Sequence, residues 1–248
     1  MKKNMTSKSN YTIILNYYNK SVDLLNNQLE SVLNQTLKPE VIIGCFMGGE
    51  QRTALRDAFI EKTKDIDNAF FVDSDYNFKY IGRYQLALTA PTDYVIVLDD
   101  DRNPMLDYCR TMIDILKKED CIVQQYGWSL REPEEYKGTW LSPAKSFQST
   151  QSELIEATYL CGGMAFRKSS LKHLFSEDIY TTATGEDIMF CLRCKKNDIP
   201  VYAYMPDLKN NLDQLLEHDS EGVNFTFDNT EMKKIRDMIL EREGIWEA

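Results

Sequence analysis

The chain has no dense run of lysine or arginine, and acidic residues outnumber basic ones 39 to 29, a formal net charge of -10. A surface of that sign is a poor partner for phosphate backbones, so nucleic acid is excluded as the main ligand. Long apolar runs are missing as well: stretches such as Tyr94 to Leu98 are strand-sized and far too short to cross a bilayer. The basic start Met1-Lys2-Lys3-Asn4 is not followed by an apolar signal core. A cytoplasmic-side location is therefore expected, with any membrane association peripheral and no integral membrane segment. The six cysteines are dispersed, and the lone C-x-x-C of Cys191 and Cys194 has no second pair at zinc-site spacing. Reduced structural thiols are the expected reading. No EF-hand loop spacing occurs, which disfavours a calcium-binding module. No repeat, low-complexity tract or linker divides the chain, so one domain over residues 1–248 is expected.

What is present is an alternation of strand and helix signals. Tyr11 to Leu15 reads as a buried strand, followed by Val22, Leu25, Leu29, Val32 and Leu33 at helical spacing. Val41 to Phe46 is a second strand, a helix carrying Leu55 and Phe59 follows, and Ala69 to Val72 is a third strand. After a helix around Tyr84 to Leu88, the strand Tyr94 to Leu98 runs straight into Asp99. Continuous apolar strands alternating with helices predict a mostly parallel sheet flanked by helices on both faces. Pro104 is predicted in the first turn of a further helix, with Asn103 as its cap and Leu106, Cys109, Ile113 and Leu116 as its buried stripe. The stretch from Trp128 to Phe147 reads as irregular or edge structure. A last helix over Thr230 to Arg242 carries Met232, Ile235, Met238 and Ile239 at helical spacing. A tail over 1–9 is expected to be disordered.

The chemistry concentrates in Asp99-Asp100-Asp101. Ligands of open parallel sheets bind beyond the carboxyl ends of the strands, where this triplet sits. Three adjacent carboxylates repel one another unless cations compensate them. A solvated acidic loop or a helix cap is the competing reading; the five apolar residues before the triplet favour a site. Glu186-Asp187 opens another predicted helix, with Thr184 or Gly185 able to cap it. Acidic residues also suit a helix start for dipole reasons alone. His173 lies in a helical pattern and reads as structural.

Taken together these segments resemble a family 2-type glycosyltransferase of the GT-A fold, a Rossmann-like α/β architecture. The resemblance rests on Tyr11 to Asn19, on Ser31-Val32-Leu33-Asn34-Gln35-Thr36, on Arg83 sixteen residues before Asp99, and on the D-x-D pattern of Asp99 to Asp101. It rests also on Cys161-Gly162-Gly163-Met164-Ala165-Phe166-Arg167 and on Glu186 to Arg193, similar to E-D-x-x-[LF]-x-x-R, and covers about residues 10 to 205. It implies a metal-dependent, inverting transfer of a hexosyl or pentosyl group from a nucleotide-sugar donor, a UDP-sugar favoured, to a hydroxyl of a glycan or other acceptor. Asp101 would hold Mn(II) or Mg(II), with Asp99 contacting the ribose or the metal shell and Asp100 supporting the donor side. Arg83 and Lys79 would add positive charge near the phosphates. Asp187 is the expected general base and Glu186 its partner, with the exchange of these two roles left open. His218, late in the chain, is a candidate further metal ligand. The resemblance divides the chain into a nucleotide-sugar-binding half over about 10–120, an acceptor-binding half over about 121–228 and the C-terminal helix over 229–248.

Two departures stand out. Where the family usually carries V-D-D-G-S, this chain has Gly44-Cys45-Phe46-Met47-Gly48-Gly49-Glu50. The acidic base-reader is absent, so the backbone at Gly48-Gly49 is expected to meet the nucleobase and Asp73 or Asp75 to take a polar role. Tyr84 also replaces the family's Asn after Arg. Gly162, Gly163 and Trp128 are candidates for the acceptor side, with Tyr136 and Trp140 nearby; core or edge packing is the alternative for the aromatics. Two rival functions remain. A sugar-1-phosphate nucleotidyltransferase would carry a Gly-rich basic loop where Asn16-Tyr17-Tyr18-Asn19-Lys20 stands. A non-catalytic nucleotide-sugar-binding protein would not need both acidic motifs.

Overall fold

The structure, a computed structural model, describes residues 10–130, 138–143, 151–218 and 230–244. The expected tail over 1–9 and Tyr136 lie outside the described residues. In chain order the strands are β1 (Tyr11–Tyr17), β2 (Val41–Met47), β3 (Ala69–Ser74), β4 (Tyr94–Asp99), β5 (Arg102–Pro104), β6 (Ile122–Gln124) and β7 (Gly127–Ser129). They continue with β8 (Thr139–Leu141), β9 (Glu153–Glu156), β10 (Tyr159–Leu160), β11 (Gly163–Arg167), β12 (Val201–Met205) and β13 (Leu216–His218). The helices are α1 (Val22–Leu33), α2 (Arg52–Thr63), α3 (Gly82–Ala87), α4 (Tyr108–Lys118), α5 (Leu171–Leu174), α6 (Glu186–Lys195) and α7 (Thr230–Glu243).

The central sheet has the order β3-β2-β1-β4-β11-β6-β12-β9. β3, β2, β1 and β4 run parallel, β11 is antiparallel to both β4 and β6, and β9 is antiparallel to β12. The mostly parallel sheet read from the sequence is thus present. Its central strands β1, β2 and β4 are largely apolar because both faces are covered, whereas β3 and β9 near the edges are partly exposed. Along β4, Val95 and Val97 join one buried cluster while Tyr94, Ile96 and Leu98 join the other, as the two-residue strand period requires. The register pairs Asn16 of β1 with Asp99 of β4, so the end of the first strand lies beside the acidic triplet.

One sequence expectation fails just beyond the triplet. Pro104 is not in the first turn of a helix: it ends β5, which pairs with β13 so that Pro104 meets Leu216 and Arg102 meets His218. Helix α4 starts at Tyr108, its buried stripe is Tyr108, Cys109, Met112, Ile113 and Leu116, and Leu106 is exposed. The cause is long-range pairing, reinforced by the buried side chain of Gln35. Its Nε2 donates to the carbonyls of Pro104 and Met105 at 2.9 and 2.7 Å, and its Oε1 accepts from the Cys109 amide at 2.9 Å. Cys191 and Cys194 are buried free thiols within α6, with pKa values pushed up by burial. Among the described residues no helix is long and apolar enough to cross a membrane.

Candidate active site

Beyond the carboxyl ends of β1, β2 and β4 lies a cavity of about 380 Å³, within the usual range for small-molecule sites. Its wall includes Asn16, Tyr17, Tyr18 and Lys20 after β1, Met47 at the end of β2, Asn77, Lys79 and Tyr80 before α3, then Arg83 and all three aspartates. Ala183 and Met232 reach it from the other end of the chain.

The three carboxylates avoid mutual repulsion by turning toward different cations. Asp99 is bound by Arg83 of α3. Asp100 accepts from the Tyr18 amide at 3.0 Å and lies 3.8 Å from the Lys20 ammonium. Burial pushes the Asp100 carboxyl up to about 6, against the opposing pull of Lys20 and the Tyr18 amide. Asp101 turns the third way: Oδ1 is 3.4 Å from Arg102 Nε and Oδ2 is 3.5 Å from His218 Nε2. The turn itself is braced from α1, where buried Gln28 donates to the Asp99 and Arg102 carbonyls at 2.6 and 2.7 Å.

Arg83 joins the triplet to the second acidic motif. Its other terminal nitrogen donates to Glu186 Oε1 at 2.8 Å, and both side chains are buried. Burial works against the charge on Arg83, yet neighbouring Tyr84, Glu186 and Asp187 hold its pKa above the usual arginine value. Glu186 is raised above the usual glutamate value, by burial first and the adjacent Asp187 second, with Arg83 and Arg236 pulling the other way. Asp187 is clasped by Arg236 of α7, whose Nη2 donates to Oδ2 at 2.9 Å while Nη1 donates to Thr184 Oγ1 at 3.2 Å. Gly185 caps α6 at φ 84, and a Cβ there would come within 2.4 Å of Ile239 Cδ1. Helix α7 therefore rests directly on the start of α6.

Lys79, Arg83, Asp99, Asp100 and Asp101 line the cavity, while Glu186, with Asp187 next to it, and His218 lie behind it, joined to its wall through Arg83 and Asp101. The structure places other sequence candidates elsewhere. Asp73 is held by Arg52 and Arg56, and Asp75 by Arg52, with the Asp75 side chain 95% exposed; neither lines the cavity. The Gly48 amide is spent on the Ser74 carbonyl at 2.8 Å, and Met47 rather than Gly48 forms the wall. The polar role expected of Asp73 or Asp75 is thus corrected: their arginines occupy them. Tyr84 is fully buried, its ring 6.0 Å from Phe166 and 5.5 Å from Phe190, where it packs α3 against α6. Gly162, at φ 78, lets the Arg102 guanidinium pass where a Cβ would sit 2.6 Å from Nε. Gly163 starts β11. Trp128 and Trp140 meet at 4.9 Å with their rings tilted by 54° across the β7–β8 pair and do not line the cavity. Trp140 also approaches Tyr126, whose ring carries the Arg102 guanidinium at 4.3 Å.

Sequence reasoning missed Gln28 and Arg236. Each interrupts an apolar helical stripe with a polar side chain, Gln28 between Leu25 and Leu29 and Arg236 between Met232 and Ile239. That interruption was the available signal, since a polar group facing a core is kept only where partners await it.

For a divalent cation, the residues present fit. Asp101 Oδ1 is buried without a hydrogen-bond partner, and the other oxygen, Oδ2, lies near the His218 imidazole, a carboxylate–imidazole pair suited to Mn(II) or Mg(II). Among the described residues no cluster of three or more His, Cys, Asp or Glu forms a complete cage.

Comparison with known proteins agrees with this layout. No curated protein matches the chain. A solved structure, GalNAc-T7 with UDP, GalNAc and Mn2+, is similar over 94% of this chain at a TM-score of 0.66 and 12% identity. The chain spans 48% of that one, about half its length, and the likeness establishes the GT-A fold. Residues 12–175 match the sequence profile described as Glycosyl transferase family 2. With two thirds of its length under that profile, the chain belongs to glycosyl transferase family 2.

Proposed function

We propose that this protein transfers a sugar from a nucleotide-sugar, a UDP-sugar in the first instance, to a hydroxyl of a glycan or other acceptor with inversion. The observation that carries the reading is Arg83, which ties Asp99 on the cavity wall to Glu186 beside Asp187. A donor-phosphate side and a proton-accepting side thereby share one guanidinium. The UDP and Mn2+ bound by GalNAc-T7 lend support to the donor and the metal.

In this reading the chain works as one domain, residues 10–120 holding the donor and 121–228 the acceptor. Asp101 and His218 would hold the divalent cation, which when bound acts as a Lewis acid for the departing nucleoside diphosphate. Lys79 and Arg83 add positive charge to the cavity wall, and Asp99 and Asp100 orient the donor. Asp187 takes the proton from the acceptor hydroxyl as that oxygen bonds to the anomeric carbon and the carbon–phosphate oxygen bond breaks. Glu186, kept in place by Arg83, orients the acceptor. Gly162 makes room for the Arg102 guanidinium beside Asp101, and Gly163 lets β11 close on β4, on the acceptor side of the triplet. The line of rings from Tyr126 through Trp140 to Trp128 leads away from Arg102 and offers faces on which sugar C–H groups stack.

Thermal-shift titration with UDP-, GDP- and dTDP-sugars, each with and without Mn(II), tests the donor and metal together. The expectation is a UDP-sugar shift that requires Mn(II); no metal-dependent shift with any donor would overturn the reading. Asp187→Asn is expected to abolish transfer while preserving donor binding, and product NMR reports the anomeric configuration.

A further inference from the structure

We infer that Arg236, carried by the last helix, is a positioning residue for Asp187, so that α7 is part of the catalytic apparatus. This rests on the base role of Asp187 proposed above. Four contacts converge on that helix. Met232 lines the cavity, Arg236 clasps Asp187 and Thr184, Ile239 packs against Gly185, and Glu243 binds Arg193 and Lys196 at 2.7 Å each. Docking alone would be served by the apolar contacts and the Glu243 pair. A buried arginine is costly to dehydrate, and this one donates to the carboxylate and to Thr184, just before α6.

The geometry suits positioning. The Asp187 carboxylate is held on one oxygen by Arg236 and on the other by the Ile188 amide at 2.9 Å, which fixes the plane of the group. The Arg236 guanidinium carbon also lies over the Tyr159 ring, 5.4 Å from the ring centre. Burial opposes the charge on Arg236, and Asp187 foremost holds its pKa above the usual arginine value.

The groups facing Asp187 from neighbouring elements are Glu186 on its own helix, Arg83 on α3, Tyr159 on β10, Cys161 after it, and Arg236 on α7. Burial raises the Tyr159 phenol and pushes the Cys161 thiol up to about 12, so both stay neutral near pH 7. Tyr80, Tyr84 and Cys191 are raised in the same way. Among the described residues, Arg83 and Arg236 are the cations that oppose the two carboxylates, and Arg83 is bound to Glu186 and Asp99. Arg236 is the cation assigned to the base.

The test compares Arg236→Gln, Arg236→Lys and Glu243→Gln with the unmodified chain, using the UDP-sugar and Mn(II). Arg236→Gln is expected to lower kcat about 10- to 100-fold through misplacement of the base, with the donor KM within about twofold. The acid limb of its kcat–pH profile should move upward, because a buried carboxylate without its cation is more easily protonated. Arg236→Lys should restore the limb and part of kcat. Glu243→Gln, which loosens the far end of the helix, should leave the limb in place. The proposal is overturned if Arg236→Gln leaves the limb unmoved, or if Glu243→Gln reproduces its profile, since either outcome reduces Arg236 to a docking contact. A ¹³C NMR titration of the Asp187 carboxyl, assigned with Asp187→Asn, reads the same shift without turnover. A midpoint unchanged in Arg236→Gln sinks the inference, whereas absent transfer by the unmodified chain sinks only the proposed function.

Discussion

Replacing Arg83 by Met removes one guanidinium from between two carboxylates while keeping most of the side chain's bulk. Arg83 and Glu186 are each 4% exposed, and the bond between them is 2.8 Å. Removing one partner of such a buried pair costs about 3–5 kcal/mol, because the other is stranded. For a chain of this size about 1 kcal/mol shifts the melting midpoint by about 2–4 °C, so a loss of about 6–20 °C is expected. The cause can be separated from lost packing by acid. Glu186 already has a raised pKa from burial and from Asp187, and without Arg83 it rises further. A carboxyl raised in the folded state contributes its stability in full below the unfolded value of about 4.3 and loses it as pH rises through the folded value. The gap between the variant and the unmodified chain should therefore narrow toward pH 5 and widen above pH 7. Adding Glu186→Gln to Arg83→Met should recover part of the loss at pH 7, since the buried Glu186 charge is then no longer stranded and only the more exposed Asp99 lacks its partner. Urea denaturation at pH 5, 6, 7 and 8 measures all three chains. A loss below about 1 kcal/mol, or a gap independent of pH and of Glu186, would refute the account of Arg83 as the bridge between the acidic motifs.

Three further outcomes follow from the same structure. Glu243→Gln strands Arg193 among the Leu174, Glu177 and Asp178 carbonyls and should cost about 3–5 kcal/mol in urea denaturation. Gly163→Ala should destabilise the sheet, because at φ 120 the new Cβ would meet the Val97 carbonyl oxygen at 2.3 Å; a melting temperature within a degree of the parent would contradict this. Asp101→Asn should remove the Mn(II)-dependent part of donor binding, read by calorimetry, while leaving the metal-free melting temperature nearly unchanged.

Much of the fold was legible because its central strands are buried on both faces. β1, β2 and β4 announce themselves as apolar runs, and the helices between them show 3.6-residue periodicity. The β5–β13 pair was not legible. Arg102–Pro104 is three residues long, its partner lies over a hundred residues away, and Pro104 after Asn103 imitates a helix start. In the site, the triplet and the Glu-Asp pair were readable as acidic motifs, but their coupling through Arg83 is a tertiary fact. Spacing singled out Arg83, but no local pattern says that one guanidinium reaches both Asp99 and Glu186. Asp75 and Gly48 were plausible by position and lost their roles to nearer partners, an arginine in one case and the Ser74 carbonyl in the other.

The splayed triplet gives the turn after β4 the character of a junction. Each carboxylate leans on a strut from a different part of the chain: α3 for Asp99, the segment after β1 for Asp100, β13 for Asp101. Gln28 clamps the backbone from which the three diverge. A ligand that recruits Asp101 therefore releases one strut and leaves two standing. The rim of the cavity can change its charge while the junction keeps its shape, and the disturbance travels toward β13 before it reaches the sheet.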